Sequence, residues 1–209
     1  MKNITFSLGG VGKACALLLL CASAAQATAQ SVVLDSYGPG NATDGWPSIV
    51  STSQSIAIPF AISSATSIEF ILSSLDGVGG VTFGIMSRSG AVPTGTTGAS
   101  WLYSTHLLDP VANSQITPSA WTLAAGNYWL AAVADAGFAG TWQSGTEDYS
   151  GDWAVTISAG AWQAVTSTFI GMPAARITVS AVPEPSSYAL LIAGGFLLAG
   201  LRRKQGGAA

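Results

Sequence analysis

Short runs in which apolar and smaller or polar side chains alternate constrain the fold of this chain more than any other feature. Four such runs stand out, at residues 55–62, 67–72, 81–86 and 153–158. Because successive side chains of a β-strand point to opposite faces, each run offers one apolar face to a shared core. Residues 31–180 contain no convincing amphipathic helix. We therefore expect an all-β domain built from antiparallel strands.

Turn-forming residues separate the runs and narrow the architecture. Glycine, proline, aspartate and asparagine cluster at residues 38–40, 76–80, 93–95, 109–110, 126–127 and 150–151. Seven to ten short strands with this punctuation predict a β-sandwich, and a jelly-roll-like one in particular. Pro59 has no N–H to donate to a ladder, so we expect its strand to lie at an edge or to carry a bulge there.

The charges between the two ends of the chain are strongly one-sided. From Gln30 to Pro183 there are two basic residues, Arg88 and Arg176, against nine acidic ones, a formal charge of −7. A surface of this sign repels phosphate backbones. We therefore expect no nucleic-acid partner.

The first 29 residues have the features of a secretory signal peptide. Lys2 and Lys13 supply positive charge, and an apolar run opens at residues 14–22. Small-residue cleavage sites follow at residues 25–27 and 27–29, and we favour cleavage after Ala29 by signal peptidase once the Sec translocon has exported the chain. An uncleaved N-terminal anchor is the alternative. Both cysteines, Cys15 and Cys21, fall in this segment, so the mature domain of residues 30–180 has neither a thiol nor a disulfide.

The C-terminal segment, residues 181–209, has three parts in a fixed order. The extended motif Val182–Tyr188 contains Val182, Pro183, Glu184 and Pro185, and an apolar stretch and a basic cluster, Arg202, Arg203 and Lys204, follow it. We expect a transmembrane helix at 187–201, because its thirteen strongly apolar residues alone would extend only about 20 Å against a hydrocarbon core of about 30 Å. The basic cluster stays cytoplasmic under the positive-inside rule, which leaves the body outside.

This tail resembles the PEP-CTERM sorting signal of Gram-negative bacteria. Pro183, Glu184 and Pro185 match the motif that gives the family its name, and the apolar helix and the basic end follow in the family's order. The resemblance implies export, membrane anchoring, and processing by an exosortase that removes the helix and releases or transfers the body. It also implies an association with exopolysaccharide. An ordinary C-terminal anchor that happens to follow Pro-Glu-Pro is the alternative.

A second resemblance lies within the body. Residues 123–130, Leu-Ala-Ala-Gly-Asn-Tyr-Trp-Leu, are similar to an L-x-x-G-x-Y-W-L strand start found in the choice-of-anchor type of β-sandwich domain. Similar bodies of that type carry different sorting tails. The resemblance implies no catalytic residues.

The residues available for catalysis or metal binding are few. His106 is the single histidine, with Asp109 as its nearest candidate partner, and no Gly-x-Ser-x-Gly elbow frames a nucleophile. Glu147, Asp148 and Asp152 share one loop and are the only candidate calcium ligands, although their spacing fits no EF-hand. Glu147 and Asp152 are glycosidase candidates only by default. We expect a protein without enzymatic activity and without a cofactor other than this calcium.

The seven tryptophans all lie in the body, and they are Trp46, Trp101, Trp121, Trp129, Trp142, Trp153 and Trp162. Trp129 and Trp153 lie on predicted strands and should fill the core. Trp46 and Trp142 lie in glycine-rich segments, so we expect them to be exposed and able to stack on sugar rings.

Together these features predict an exported cell-surface or extracellular-matrix protein with a structural or adhesive role linked to exopolysaccharide. A carbohydrate-binding module is the main alternative. A secreted hydrolase of unrecognised type is the second.

Overall fold

The structure is a computed structural model, and it describes residues 30–94, 100–146, 152–165 and 171–182, with the pair 194–195. The compact body is Gln30–Ala181. Its strands are β1 (Gln30–Asp35), β2 (Pro47–Ser51), β3 (Ile56–Ile62), β4 (Thr66–Ser73), β5 (Leu75–Val78), β6 (Gly80–Ser87), β7 (Trp101–Leu108), β8 (Ser114–Ile116), β9 (Thr122–Leu123), β10 (Gly126–Ala134), β11 (Ala139–Gln143), β12 (Trp153–Thr156), β13 (Trp162–Val165) and β14 (Ala175–Ala181).

The predicted all-β class is confirmed, and every pairing between these strands is antiparallel. The described residues form fourteen strands, more than the seven to ten expected. β8 and β9, of three and two residues, are too short to show any alternation. Within the described part of the chain, no helix is long and apolar enough to cross a membrane. The helix predicted at 187–201 lies outside the described residues except for Gly194 and Gly195.

The strands form three sheets. The first has the order β1-β14-β4-β8, with β9 also paired to β4. The second has six strands in the order β13-β12-β3-β10-β6-β7, and the third has the order β2-β11-β5. This arrangement is consistent with a β-sandwich.

The main core contains apolar side chains from all three sheets. Ile71 and Ile177 come from the first sheet, Ile58 and Phe83 from the second, and Trp142 from the third. Each of these side chains is inaccessible to solvent. β3 and β6 thus place their apolar faces where the sequence predicts, because burial of one face fixes the register of a strand.

The second run, at 67–72, buries a different face from the one that its alternation predicts. Its pattern predicts Ile68, Phe70 and Leu72 as the buried set, but Ile71 is fully buried while Phe70 and Leu72 are only partly buried. The prediction is wrong because the pairing of β4 with β14 shifts register between Ile68 and Phe70, which interrupts the alternation.

A second, smaller apolar cluster is formed by the alternate residues of the six-stranded sheet. A row of small residues crosses four adjacent strands, running from Ala154 through Ala57 and Ala131 to Gly84. Trp129 and Trp162 belong to the same cluster as these alanines. The large indole rings lie beside the small residues, so this side of the sheet also excludes water.

The position of Pro59 agrees with its missing N–H group. β3 pairs with β10 over residues 56–62, but it pairs with β12 only through Ile56 and Ala57. Among the described residues, Pro59 therefore has a neighbouring strand on one side only. β3 is nevertheless an interior strand of the six-stranded sheet, and its pairing with β10 shows no register shift. The prediction of an edge strand or a bulge is therefore wrong, because β12 is too short to reach Pro59.

The fourth alternating run ends earlier than its pattern predicts. β12 stops at Thr156, and Ile157 is exposed. Ser158 and Ala159 have φ angles of 52° and 53°, and the N–H of Gly160 donates to the carbonyl of Ile157. The extension of the strand to residue 158 is therefore wrong, because the chain turns sharply after Thr156.

Candidate functional site

The predicted sorting motif begins where the last strand of the body ends. β14 ends at Ala181, and the next residue, Val182, is exposed. Pro183, Glu184 and Pro185 lie outside the described residues, as do Arg202, Arg203 and Lys204. The sorting role of these residues stays a prediction.

Trp46 is an exposed aromatic ring on a well-fixed backbone. Its side chain is 67% exposed. Its N–H donates to a carboxylate oxygen of Asp44 at 2.9 Å, and its carbonyl accepts from the N–H of Ser144 at 2.9 Å. The expected exposure is therefore present, and stacking on a sugar ring stays a prediction.

Trp142 does not have the exposure that we expected from the sequence. It lies in the middle of β11, fully buried, with its ring centroid 5.5 Å from that of Phe83. Its indole N–H donates to the carbonyl of Ala174 at 2.9 Å. The prediction that Trp142 offers a stacking surface is wrong, because the glycine-rich segment is a strand and this residue faces the core.

Four further tryptophans are buried, so they contribute to packing rather than to ligand binding. Trp129 and Trp153 are buried, as expected for strand residues. Trp121 and Trp162 are buried as well. Trp46 is therefore the tryptophan with the largest exposed area among the described residues.

The acidic loop is described at only one of its three candidate calcium ligands. Asp152 is exposed immediately before β12, whereas Glu147 and Asp148 lie outside the described residues. The described residues contain no cluster of three or more side chains suited to a metal ion. Calcium binding at this loop therefore stays a prediction.

His106 lies within hydrogen-bond distance of an aspartate other than the one nearest in sequence. Its Nε2 lies 2.7 Å from a carboxylate oxygen of Asp135, and both side chains are about half exposed. Asp109 instead accepts the N–H of Gly79 at 2.7 Å. No serine hydroxyl of the described residues is hydrogen-bonded to His106. An exposed pair of this kind contributes roughly 0–1 kcal/mol to stability.

The two arginines of the body are both engaged by neighbouring side chains. Arg88 lies over the ring of Trp129, with 4.7 Å from guanidinium carbon to ring centroid. Arg176 donates to Asp35 at 2.8 Å and lies over the ring of Tyr37 at 5.8 Å. Burial raises the pKa of Tyr37 well above its ordinary value, more than the neighbouring Arg176 lowers it. The few positive charges are thus held locally, and the surface remains predominantly acidic.

A surface cleft of about 360 Å³ lies beside the edge strand β7. The seven residues that line it are all uncharged, and they are Ser87, Leu102, Tyr103, Thr122, Leu123, Ala124 and Tyr128. The hydroxyl of Tyr103 donates to the carbonyl of Thr122 at 2.8 Å, and that of Tyr128 donates to the carbonyl of Ala124 at 2.9 Å. The cleft therefore combines two aromatic rings with fixed hydroxyl oxygens.

The sequence did not indicate this cleft. Tyr128 lies in the predicted strand start at residues 123–130, and nothing in the local pattern around Tyr103 or Tyr128 showed that the two would meet. Pairing of β6 with β7 and of β6 with β10 brings the two residues to one side of the molecule. The one sequence signal for this cleft was a tyrosine on each of two segments, and it becomes informative only once both are known to pair with β6.

Comparison of the chain with known protein families, with curated proteins and with solved structures finds no match. The class of the body is therefore established by its strands alone: it is an all-β protein with antiparallel sheets.

Proposed function

We propose that this chain is an exported bacterial surface or matrix protein whose tail is recognised and removed by an exosortase. The observation that carries the proposal is the order of the tail: Pro183–Glu184–Pro185, an apolar stretch, then Arg202–Arg203–Lys204. The prolines disfavour a helix through the motif and keep the backbone extended. An extended segment next to the membrane is accessible to the active site of a membrane-embedded enzyme.

The end of the body supports this proposal. β14 runs to Ala181, and Val182 is exposed directly after it. Removal of everything after the motif would leave all strands of the body intact. A signal peptide at the other end, cleaved after Ala29, would likewise leave β1 whole, because β1 begins at Gln30.

The proposed role of the exported body is structural or adhesive, without catalysis, and the proposed fold in finer detail is a jelly-roll-like sandwich. Before processing, the helix at 187–201 holds the chain in the inner membrane. After processing, the body resides at the cell surface or in the extracellular polymer. Its proposed partners are the Sec translocon, signal peptidase and exosortase, together with extracellular polysaccharide.

Intact-mass analysis of the chain expressed in a host that contains an exosortase tests this proposal. The wild-type protein should lack the segment after about Pro185, and a double Pro183→Ala, Pro185→Ala variant should retain it. Pro118→Ala serves as the matched control, since Pro118 lies in the body between β8 and β9, and it should be processed like the wild type. Recovery of wild-type protein that still carries residues 202–204 contradicts the proposal.

A carbohydrate-binding module is the second candidate, and the exposure of Trp46 favours it. Rings of this size bind the apolar face of a sugar by stacking. A glycan array probed with the purified protein distinguishes this activity from a purely structural role. The hydrolase alternative gains no support from the exposed His106–Asp135 pair, to which no described serine is hydrogen-bonded.

A further inference from the structure

We infer that the cleft beside β7 binds a neutral glycan, which deepens the carbohydrate-binding candidate and rests on it. The cleft has a volume of about 360 Å³, within the range of small-molecule sites. The half-buried ring of Tyr103 supplies an apolar face, whereas the ring of Tyr128 is buried in the main core. The serine, threonine and tyrosine hydroxyls supply polar contacts. A pyranose ring has an apolar C–H face and a rim of hydroxyl groups. An apolar ring beside fixed hydroxyls can contact both.

The hydroxyl oxygens of both tyrosines are oriented before any ligand arrives. Tyr103 uses its proton to bond the carbonyl of Thr122, and Tyr128 uses its proton to bond the carbonyl of Ala124. The phenol oxygen of Tyr103, which also lies 3.4 Å from Oγ1 of Thr122, has two lone pairs and can accept from a sugar hydroxyl as well. Ligands rich in O–H donors are the chemical class that such acceptors recognise.

The ring of Tyr103 is also held in place by its neighbour. It stacks on Trp121, with 5.6 Å between ring centroids and an angle of 16° between the planes. A side chain that is already ordered loses less entropy when a ligand binds. Pre-organisation by Trp121 thus favours binding at an otherwise shallow site.

The charges of the body exclude anionic ligands from this site. None of the seven lining residues is charged, and the body carries a formal charge of −7. An acidic polysaccharide would meet long-range repulsion without a basic side chain in the cleft to offset it. A neutral glycan meets no such repulsion.

The cleft lies at the end of the body from which the tail leaves. Leu123 of the cleft pairs with Thr66, and Thr66 pairs with Ala181, the last residue of β14. Two interstrand spacings separate Leu123 from Ala181, or about 10 Å. A glycan in the cleft would therefore sit close to the attachment point of the sorting signal.

Calorimetric titration of the full chain with cellohexaose, maltohexaose and xylohexaose, and with an alginate hexamer as the anionic comparison, tests the inference. At least one neutral hexasaccharide should bind, and alginate should not. Tyr103→Ala should weaken binding by about tenfold or more, since it removes both the ring and the acceptor. Tyr103→Phe keeps the ring on Trp121 and should weaken binding by roughly threefold to tenfold.

Val111→Ala, at an exposed position that does not line the cleft, is the matched control, and it should leave the affinity unchanged. Trp46→Ala tests the alternative site at that ring. Melting temperatures identify any variant that fails to fold, and Tyr103→Phe then decides the result in place of Tyr103→Ala. The inference is overturned if no neutral hexasaccharide binds at about 10 mM, if both Tyr103 variants bind like the wild type, or if Trp46→Ala alone abolishes binding. In that last case the carbohydrate-binding candidate stands while the cleft does not. Removal of the tail is measured separately by intact-mass analysis. A failure of the exosortase proposal is therefore distinguishable from a failure of glycan binding.

Discussion

Replacing Trp142 by alanine tests whether the interior between the sheets depends on this one side chain. Trp142 is fully buried against Phe83 and donates its indole N–H to the carbonyl of Ala174. Truncation of a buried tryptophan costs about 3–5 kcal/mol. The lost hydrogen bond adds little, because the carbonyl of Ala174 also accepts from the N–H and hydroxyl of Ser74.

The expected loss is large relative to the stability of a domain of this size. Natural domains have a free energy of unfolding of about 5–15 kcal/mol. Trp142→Ala should therefore remove about a third or more of the free energy of unfolding of this body. Trp142→Phe keeps an aromatic ring near Phe83 and loses the donor, and it should cost about 1–2 kcal/mol. Trp46→Ala, at an exposed position, should change stability by no more than about 0.5 kcal/mol.

Urea unfolding of the full chain in mild detergent, followed by far-UV circular dichroism, measures these differences directly. The ranking should be Trp142→Ala, then Trp142→Phe, then Trp46→Ala, with an unchanged denaturant slope for the last. A loss below about 1 kcal/mol for Trp142→Ala, together with a larger loss for Trp46→Ala, would refute the packing argument.

Two further predictions concern the whole body and one buried phenol. The far-UV circular dichroism spectrum should be dominated by β-structure, and helix in more than about a quarter of residues would contradict the architecture. Because burial raises the pKa of Tyr37, the folded state holds that proton more tightly than the unfolded state, where the pKa is about 10. Stability should therefore be unaffected by this group below about pH 10 and fall as the pH rises further. Tyr37→Phe should reduce that alkaline loss in a melting-temperature series, and an identical slope for both proteins would contradict the assignment.

The local pattern of the sequence predicted the strands that line the main core. β3 and β6 follow the alternating runs closely, because burial of one face dictates which side chain occupies each position. β4 forms where its run predicts a strand, but a register shift in its pairing with β14 changes which side chains it buries. Trp142 shows where the same approach fails. Its segment contains glycines and polar residues, so its apolar content is too low to indicate a strand. Its burial depends on packing against Phe83, which is 59 residues away in sequence.

The candidate site depends even more on contacts between distant residues. His106 was paired with Asp109 by proximity in sequence, whereas the structure pairs it with Asp135, 29 residues away. The cleft likewise joins Tyr103 to Thr122 through a side-chain hydrogen bond, and to Tyr128 through the pairing of β7 and β10 with β6. The proposed sorting motif is different, because its prediction depends only on the local order of residues 182–204 and needs no contact between distant residues.

The central place of β14 in its sheet has a mechanical consequence. β14 lies between β1 and β4, and it is antiparallel to both over most of its length. A force transmitted through the C-terminal attachment would pull β14 along its own axis, so the hydrogen bonds of two ladders would bear the load together in shear. A force between Gln30 and Ala181 would instead peel β1 away one bond at a time, because Gln30 faces Ser180 at the same end of the pair. If the tail is attached as proposed, the body should therefore resist tension along β14 better than tension between Gln30 and Ala181.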